Sequence, residues 1–543
     1  MAEYQTIRDD RTVRELDETS GSSCYRPGDG HHWHFYRTAR RYGVVAMSSE
    51  RRKLVLGASW TLTSTVVALA VGAIFNPALV FYVGVRGYGV WASAIAIASL
   101  FGIGGDLGVA GALTKFIAEG RGVRSGSESL AASALGFGFA AGCIAGLALA
   151  VLSLSMEGYV GYGPFPLLLQ LQAVQMPFNM GAMSLMAFLQ GRREFRRLAL
   201  FAIGQSVANL SVALAFLAFG FGIPGVMIAS LMTSALLFSG LFASTRRELI
   251  YRGANTLRAD IRRLVPFGLT LTATNALSTV VYQADVVVVS FLVRDPLIIG
   301  AYALAVLVTR SLWILPGSIS ATTYPVISEY TAAKERRRVS RYLSTAMVAS
   351  IAVMGVMASA VILFGRPVLT LIFGPNSAPA FDYGLLLLIG TATLGSVRGV
   401  ATSLTAVGRP DIGLRISALG AATLLLASFL LTTLWGASGA AIAVSITFVV
   451  LAIMLTRAIN RYVLKPEPGL LRGRRVLLTT GIAFVACTSS LAVAVPTNPS
   501  PLQLIASAVF FAGSALALLG ASGGRDTWGA FFGKFQARDA ERG

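Results

Sequence analysis

The chain has 543 residues, 55% of them hydrophobic and 13% charged, with a mean hydropathy of +0.68 and a formal net charge of +20. So apolar a composition excludes a water-soluble globule of this length and fits a polytopic membrane protein, in which basic loops against an anionic leaflet account for the charge without nucleic acid. Cys24, Cys143 and Cys487 have no short spacing among them, which excludes a disulfide framework and a cysteine metal site.

Residues 1–46 form a polar tail with no apolar helical period, and they hold all three histidines, in the run His31-His32-Trp33-His34. No apolar core precedes a small-residue cleavage site, so the tail is not a signal peptide. It reads as a disordered extension or as an upstream start assignment, since Met47 and the basic stretch to Lys53 make a natural beginning for a membrane protein. No cysteine or carboxylate partners the histidines, and no metal site is expected.

From there on, fourteen apolar runs predict spans at 54–76, 88–112, 130–154, 164–189, 198–219, 223–243, 264–292, 297–323, 343–365, 382–406, 412–434, 436–457, 476–495 and 502–520. Each is long enough to cross a hydrocarbon core about 30 Å thick, and helices are the form that leaves no backbone group unpaired in lipid. The odd-numbered connections hold three basic residues, Arg86, Arg294 and Arg366, against 36 in the even-numbered connections, the segment 37–53 and the C-terminal tail. That asymmetry predicts an even number of spans and both termini in the cytoplasm.

An offset of 210 to 217 residues relates Gly87-Tyr88-Gly89 to Gly300-Ala301-Tyr302, and Gly191-Arg192 to Gly408-Arg409. It likewise relates Gly222-Ile223-Pro224-Gly225 to Gly436-Ala437-Ser438-Gly439. Six spans make one copy, so the two copies share an orientation. The expected organisation is a tail at 1–46, a six-helix bundle at 47–250, a second at 251–465, and two further helices with a tail at 466–543. The fold class is thus an all-α membrane protein of about fourteen transmembrane helices. Helices weakened by Gly102, Gly104, Gly105, Gly108 and Gly111 in the second span, and by Pro316, Gly317 and Pro325 in the eighth, occupy matching places. They mark either close helix packing or a cargo site between the bundles.

Of the 45 basic residues only Arg310 and Arg398 fall inside apolar runs. An arginine at a helix centre costs about 2.5–3.5 kcal/mol to insert, so each is a functional candidate unless an ion pair explains it. Asp285 on the seventh span lies at a depth from which it could pair with Arg310; Asp106 has a depth similar to that of Arg398. These are the acids well inside spans, and they serve as coupling or ion-pair candidates. Gln172, Gln175 and Asn179 share a face of span four, as do Gln205 and Asn209 on span five; Asn275 and Gln283 lie on span seven. Such amides either bond across helices or contact sugar hydroxyls. Trp60, Trp91, Trp313 and Trp435 read as interface anchors or packing residues.

Tyr88-Gly89, Asp106-Leu107-Gly108 followed by Lys115-Phe116, Tyr302-Ala303, Tyr324-Pro325 with Ser328, and Gly408-Arg409-Pro410 recur in an order and spacing that resembles the polysaccharide-biosynthesis flippases. These belong to the superfamily of multidrug, oligosaccharidyl-lipid and polysaccharide exporters. The resemblance runs from about Arg51 to about Arg461, and the last two spans suit its fourteen-helix members. It implies transport of a polyprenyl-diphosphate-linked oligosaccharide from the inner to the outer leaflet of the plasma membrane by alternating access. Membrane lipids are its surroundings, and a polysaccharide polymerase and glycosyltransferases are its expected co-workers. Arg310 and Arg398 would hold the diphosphate, because a guanidinium grips phosphate oxygens through a two-pronged fork.

No phosphate-cradling glycine loop with its lysine is present, and the outer loops near 155–163 and 366–381 are short and nearly free of acids. Neither ATP hydrolysis nor glycosyl transfer is expected, and no cofactor is called for. A lipid II flippase and a cation-coupled drug or metabolite antiporter are the alternatives within the superfamily. A non-transporting scaffold for glycosyltransferases is the alternative from another class.

Overall fold

The computed structural model describes residues 31–105, 108–119, 124–249, 254–464, 474–493 and 501–521. The chain divides into two compact units, Met1–Thr61 and Leu62–Gly543. Among the described residues all regular structure is helical. The helices are α1 His31–Gly105, α2 Val109–Glu119, α3 Arg124–Ser153, α4 Phe165–Gly191, α5 Phe195–Ala218, α6 Gly222–Thr245 and α7 Ala254–Leu292. There follow α8 Pro296–Ser311, α9 Ile314–Ala332, α10 Arg336–Phe373, α11 Ala378–Ala401, α12 Pro410–Ile459, α13 Arg474–Ala492 and α14 Pro501–Ala521. Eight described stretches are long and apolar enough to cross a membrane, which makes this a multi-pass membrane protein.

Two of the long helices are interrupted where the sequence places a glycine. Gly84 in α1 has φ 70° and ψ 172°, and Gly436 in α12 has φ 59° and ψ −143°, conformations that a side chain strongly disfavours. Each break falls at a hairpin between expected spans, one before the Gly87-Tyr88-Gly89 motif and one before the Gly439 approach to Leu431. The second and eighth spans are discontinuous as well. α1 ends at Gly105 and α2 starts at Val109, while a turn at Leu312–Trp313 separates α8 from α9, three residues before Pro316.

The helices with polar loops at their ends pack through a core of buried aliphatic and aromatic side chains that runs from Leu79 to Val476. α13 and α14 lie against α10, where Gly355 clears space for Ala483 and Leu518. α7 touches the earlier helices near both of its ends. Near one end Leu264 joins the cluster of Val109, Leu113, Ile117, Leu130 and Phe188, and Asp260 Oδ2 accepts from Ser133 Oγ at 2.8 Å and from Ser129 Oγ at 3.3 Å. At the other, Ser290 Oγ lies 3.1 Å from the hydroxyl of Tyr159, whose ring centroid is 5.3 Å from that of Phe291. Burial pushes the Tyr159 hydroxyl up to about 12, against the opposing pull of Ser290 and Arg294. A shallow cavity of about 280 Å³ opens beside it, between the Gly158–Gly161 turn and Arg294.

α1 and α8 cross where the two repeat motifs meet. A Cβ on Gly89 would lie 2.0 Å from the Pro296 carbonyl oxygen, and one on Gly300 would lie 2.0 Å from that of Val85. Only hydrogen fits at either position, so the two backbones touch through their glycines. Gly300→Ala is therefore expected to destabilise the protein by about 1–3 kcal/mol, read as a lower unfolding midpoint in detergent. Gly136→Ala, in α3 with nothing within 4 Å of its would-be Cβ, is expected to leave that midpoint unchanged or raise it.

Candidate functional site

Both intramembrane arginines come to one tyrosine. Tyr282 and Asp285 are three residues apart on α7 and so share a face. Asp285 is fully buried, and its Oδ2 accepts two hydrogen bonds, from Arg310 Nη2 at 2.7 Å and from the Tyr302 hydroxyl at 3.0 Å. Arg310 and Tyr302 both belong to α8, two turns apart. The second prong of the Arg310 guanidinium, Nη1, donates to the carbonyl oxygen of Tyr282. From the other side, Arg398 Nη1 on α11 donates to the Tyr282 hydroxyl at 2.9 Å.

Packing fixes Arg398 as firmly as hydrogen bonding does. Its guanidinium carbon lies 4.9 Å from the ring centroid of Trp313 and 5.7 Å from that of Tyr282, the range of cation–π contact. Trp313 is held in turn by a hydrogen bond from Nε1 to the Thr391 carbonyl oxygen at 2.8 Å, and it meets Tyr282 edge-on at 5.5 Å. Phe448 of α12 closes the group, with its centroid 5.3 Å from Trp313 and 6.4 Å from Tyr282. The sequence makes room for the indole: a Cβ at Gly395 on α11 would come within 3.0 Å of Trp313 Cδ1 and 2.8 Å of Met354 Sδ. The break after α8 places Trp313 at this point, so the discontinuity and the aromatic wall belong together.

The result is a cationic cluster walled by aromatic rings. Arg310 has an ion-pair partner and a side chain 16% exposed. Arg398 is half-buried, and among the described residues no carboxylate lies within ion-pairing distance of it. Among the described residues, two guanidiniums against one carboxylate leave a surplus positive charge in an apolar surround, which suits an anion. Every recorded partner of the two arginines lies after residue 254, within the second expected bundle.

Gln172 and Gln175 find their partners away from this cluster. Gln172 Nε2 donates to Met227 Sδ at 3.1 Å, and Gln175 Nε2 donates to the hydroxyls of Ser230 and Ser234, both at 2.9 Å. Both glutamines are buried and tie α4 to α6, so interhelical bonding accounts for them. Asn179 is half-buried further along α4, and Gln205 and Asn209 are half-buried on α5. Gln283 is half-buried beside Tyr282 on α7. Asp106 and the Asn275 side chain lie outside the described residues. Sequence reasoning missed Tyr282 and gave Trp313 to interface anchoring or packing. The signal available was a tyrosine at the i−3 position from a buried acid, and a tryptophan three residues after an intramembrane arginine.

The model of the polysaccharide biosynthesis protein family matches residues 54–331, and a second family model, MatE, matches residues 271–430. The probable low-salt glycan biosynthesis flippase Agl15 of Haloferax volcanii is 23% identical over 166 residues. That match covers 30% of this chain and 35% of the relative, so the chain spans about a third of that relative's length. Among solved structures, the lipid II flippase MurJ in an inward closed conformation superposes with a TM-score of 0.62 at 17% identity, over 86% of this chain and 98% of that one. An inward-facing multidrug resistance MATE family transporter gives 0.54 at 15% identity, over 72% and 95%. At these identities the structural likenesses speak for the fold alone.

Replacing one partner of a buried ion pair leaves the other charge bare, at a cost of about 3–5 kcal/mol. Asp285→Ala is expected to lower the unfolding midpoint in detergent strongly, and Asp285→Ala with Arg310→Met to recover most of that loss. Additive losses in the double variant would show that the pair is not coupled. The family match over more than half of its length identifies the chain as a member of the polysaccharide biosynthesis protein family, with the fold of the multidrug/oligosaccharidyl-lipid/polysaccharide exporter superfamily.

Proposed function

We propose that this protein is a flippase that carries a polyprenyl-diphosphate-linked oligosaccharide from the cytoplasmic to the outer leaflet of the plasma membrane, with both termini in the cytoplasm. It acts as a transporter and not as an enzyme. Arg310 and Arg398 hold the diphosphate, and the two six-helix bundles, 47–250 and 251–465, move against each other around it.

The observation that carries this reading is the meeting of the two guanidiniums on Tyr282, one on its carbonyl and one on its hydroxyl. A diphosphate offers two adjacent anionic groups, and two forked donors spaced by one tyrosine suit it. Arg398 is available without breaking an ion pair among the described residues, whereas Arg310 must first release Asp285. The aromatic wall of Tyr282, Trp313 and Phe448 lowers the dielectric around both and strengthens their pull on an anion. A drug antiporter reading fits the fold equally well but needs a cavity that attracts cations, and the surplus charge here has the opposite sign.

Losing a desolvated arginine that contacts a charged ligand costs about 2–5 kcal/mol, on the order of 30-fold or more. In proteoliposomes with a fluorescent polyprenyl-diphosphate sugar, Arg398→Ala and Arg310→Ala are expected to slow flipping by at least about tenfold at equal protein level. Arg398→Lys is expected to restore little, because an ammonium lacks the fork and the flat face that stacks on Trp313. Undiminished flipping in both alanine variants would remove the arginines from the pathway.

A further inference from the structure

Charge is scarce in the odd-numbered connections, and two of the few charged groups there line one cavity. Those connections hold three basic residues, Arg86, Arg294 and Arg366, and the segment 155–163 holds one acid, Glu157. Arg366 is already engaged, with Asp382 Oδ1 at 2.8 Å and the ring centroid of Phe381 at 5.3 Å. Arg294 spends only Nε, which donates to the Phe291 carbonyl oxygen at 3.2 Å. Among the described residues, neither its two terminal nitrogens nor the Glu157 carboxylate makes a hydrogen bond or an ion pair. Both residues nevertheless border the cavity of about 280 Å³ beside Tyr159, together with Ser155, the Gly158–Gly161 turn and Phe291. An acid and a base thus line the same space without meeting each other.

The backbone holds this space in one shape. Gly158, Val160 and Gly161 all take positive φ, at 65°, 52° and 62°, which folds the turn tightly and buries the Val160 side chain to 1% exposure. A β-branched residue rarely adopts that conformation, and such strain gathers where a segment has to be held for a ligand. Arg294 has φ 57° as well, so two of the four non-glycine residues with positive φ among the described residues border this cavity. Backbone bonds pin the turn from within, from Tyr159 N to the Met156 oxygen at 3.1 Å and from Gly161 N to the Gly158 oxygen at 3.0 Å. The Tyr159 ring packs on Phe165 at 5.0 Å, and its hydroxyl lies 3.1 Å from Ser290 Oγ. A frame fixed in advance lowers the ordering cost that a ligand would otherwise meet.

We propose that this cavity binds one sugar ring of a glycan at the outer face of the membrane, a reading that rests on the outer placement of the odd-numbered connections and on the glycan cargo proposed above. A carboxylate only accepts hydrogen bonds and a guanidinium only donates them. A ligand that bridges the two has to present a donor and an acceptor side by side. Neighbouring hydroxyls of a pyranose do so, since each hydroxyl both donates and accepts. Their bonds to Glu157 and Arg294 are charge-assisted and therefore stronger than those between neutral groups. Ser155 Oγ donates to the Leu152 carbonyl oxygen at 2.8 Å and keeps its lone pairs for a further hydroxyl. Phe291, 40% exposed, adds an apolar surface for the C–H face of the ring. A simple anion would be attracted by Arg294 and repelled by Glu157, and a simple cation the reverse. Size agrees: pockets for drug-sized molecules run from about 300 to 1,000 Å³, and this smaller space suits a single ring.

The test uses the full chain in nanodiscs and the methyl glycosides of glucose, galactose, mannose and N-acetylglucosamine, with glycine as a zwitterionic probe. Saturation-transfer NMR reads which of them binds and how tightly. At least one glycoside is expected to bind in the millimolar range. Glu157→Ala and Arg294→Ala are each expected to weaken it by about tenfold or more, as losing a hydrogen bond to a charged group does. Both side chains are exposed, so an unchanged unfolding midpoint is expected to show that each variant is folded. Arg366→Ala, whose guanidinium serves Asp382, is expected to bind as the wild type does. Undiminished binding in either Glu157→Ala or Arg294→Ala overturns the proposal. So does binding of no glycoside, or of glycine in place of every glycoside. A glycoside lost in Arg398→Ala and kept in Glu157→Ala lies in the membrane passage, which overturns it too. These probes carry no phosphate, so flipping that is undiminished in Arg310→Ala and Arg398→Ala removes the diphosphate reading and leaves this site standing.

Discussion

The ion pair between Arg310 and Asp285 is the interaction on which the rest of the site depends. An arginine inside an apolar span is costly, and an aspartate with no solvent exposure is costly as well. Each makes the other tolerable through a direct 2.7 Å contact, and the guanidinium's second prong satisfies itself on the Tyr282 carbonyl. That second bond reaches the backbone of α7, so the pair fixes α8 against α7 in register as well as in contact. Tyr302, buried completely, adds its hydroxyl to the same carboxylate oxygen and is thereby held in place. The pair thus organises a patch of two helices around a charge balance that a second guanidinium, Arg398, then tips to positive.

Small residues make this arrangement possible by bringing backbones together around it. The crossing at Gly89 and Gly300 lets α1 and α8 approach until a carbonyl oxygen of each lies where the other's Cβ would be. Without hydrophobic drive between helices in lipid, such contact and interhelical hydrogen bonding are the available sources of cohesion. The buried Gln175 amide shared by Ser230 and Ser234 shows the second source at work between α4 and α6. α7 carries Tyr282 and Asp285 in its C-terminal third, while residues near both ends touch helices or turns from before residue 250. The tyrosine and aspartate of the cluster and the contacts near both ends lie on one continuous helix.

The sequence disclosed the helical class, the broken second and eighth spans and the two arginines because each is a violation or a satisfaction of a strong rule. Charge inside an apolar run stands out against its surroundings, and so does a glycine at a forced turn such as Gly84. The Asp285–Arg310 pairing was legible as one of two readings, since helix rise gives depth but not rotation. Rotation is also what concealed the role of Gln172 and Gln175: their spacing shows a shared face and cannot say that α6 lies against it. Tyr282 was hidden for a different reason. An aromatic residue in an apolar span breaks no rule, and its importance arises only from two guanidiniums that are 28 and 116 residues away.

The fold alone does not choose between a lipid-linked sugar and a drug, since a lipid II flippase and a multidrug transporter both superpose on this chain. Charge makes the distinction that shape does not. A cation held in the cluster would meet two fixed guanidiniums and a carboxylate already committed to one of them, an arrangement that repels it. An anion with two adjacent charges meets the reverse: one guanidinium with no carboxylate within ion-pairing distance among the described residues, beside a second that is paired with Asp285. A scaffold has no use for either arginine, and an apolar side chain at each position would pack at lower cost. Keeping both of them in a wall of tyrosine, tryptophan and phenylalanine is consistent with a passage whose cargo brings its own negative charge.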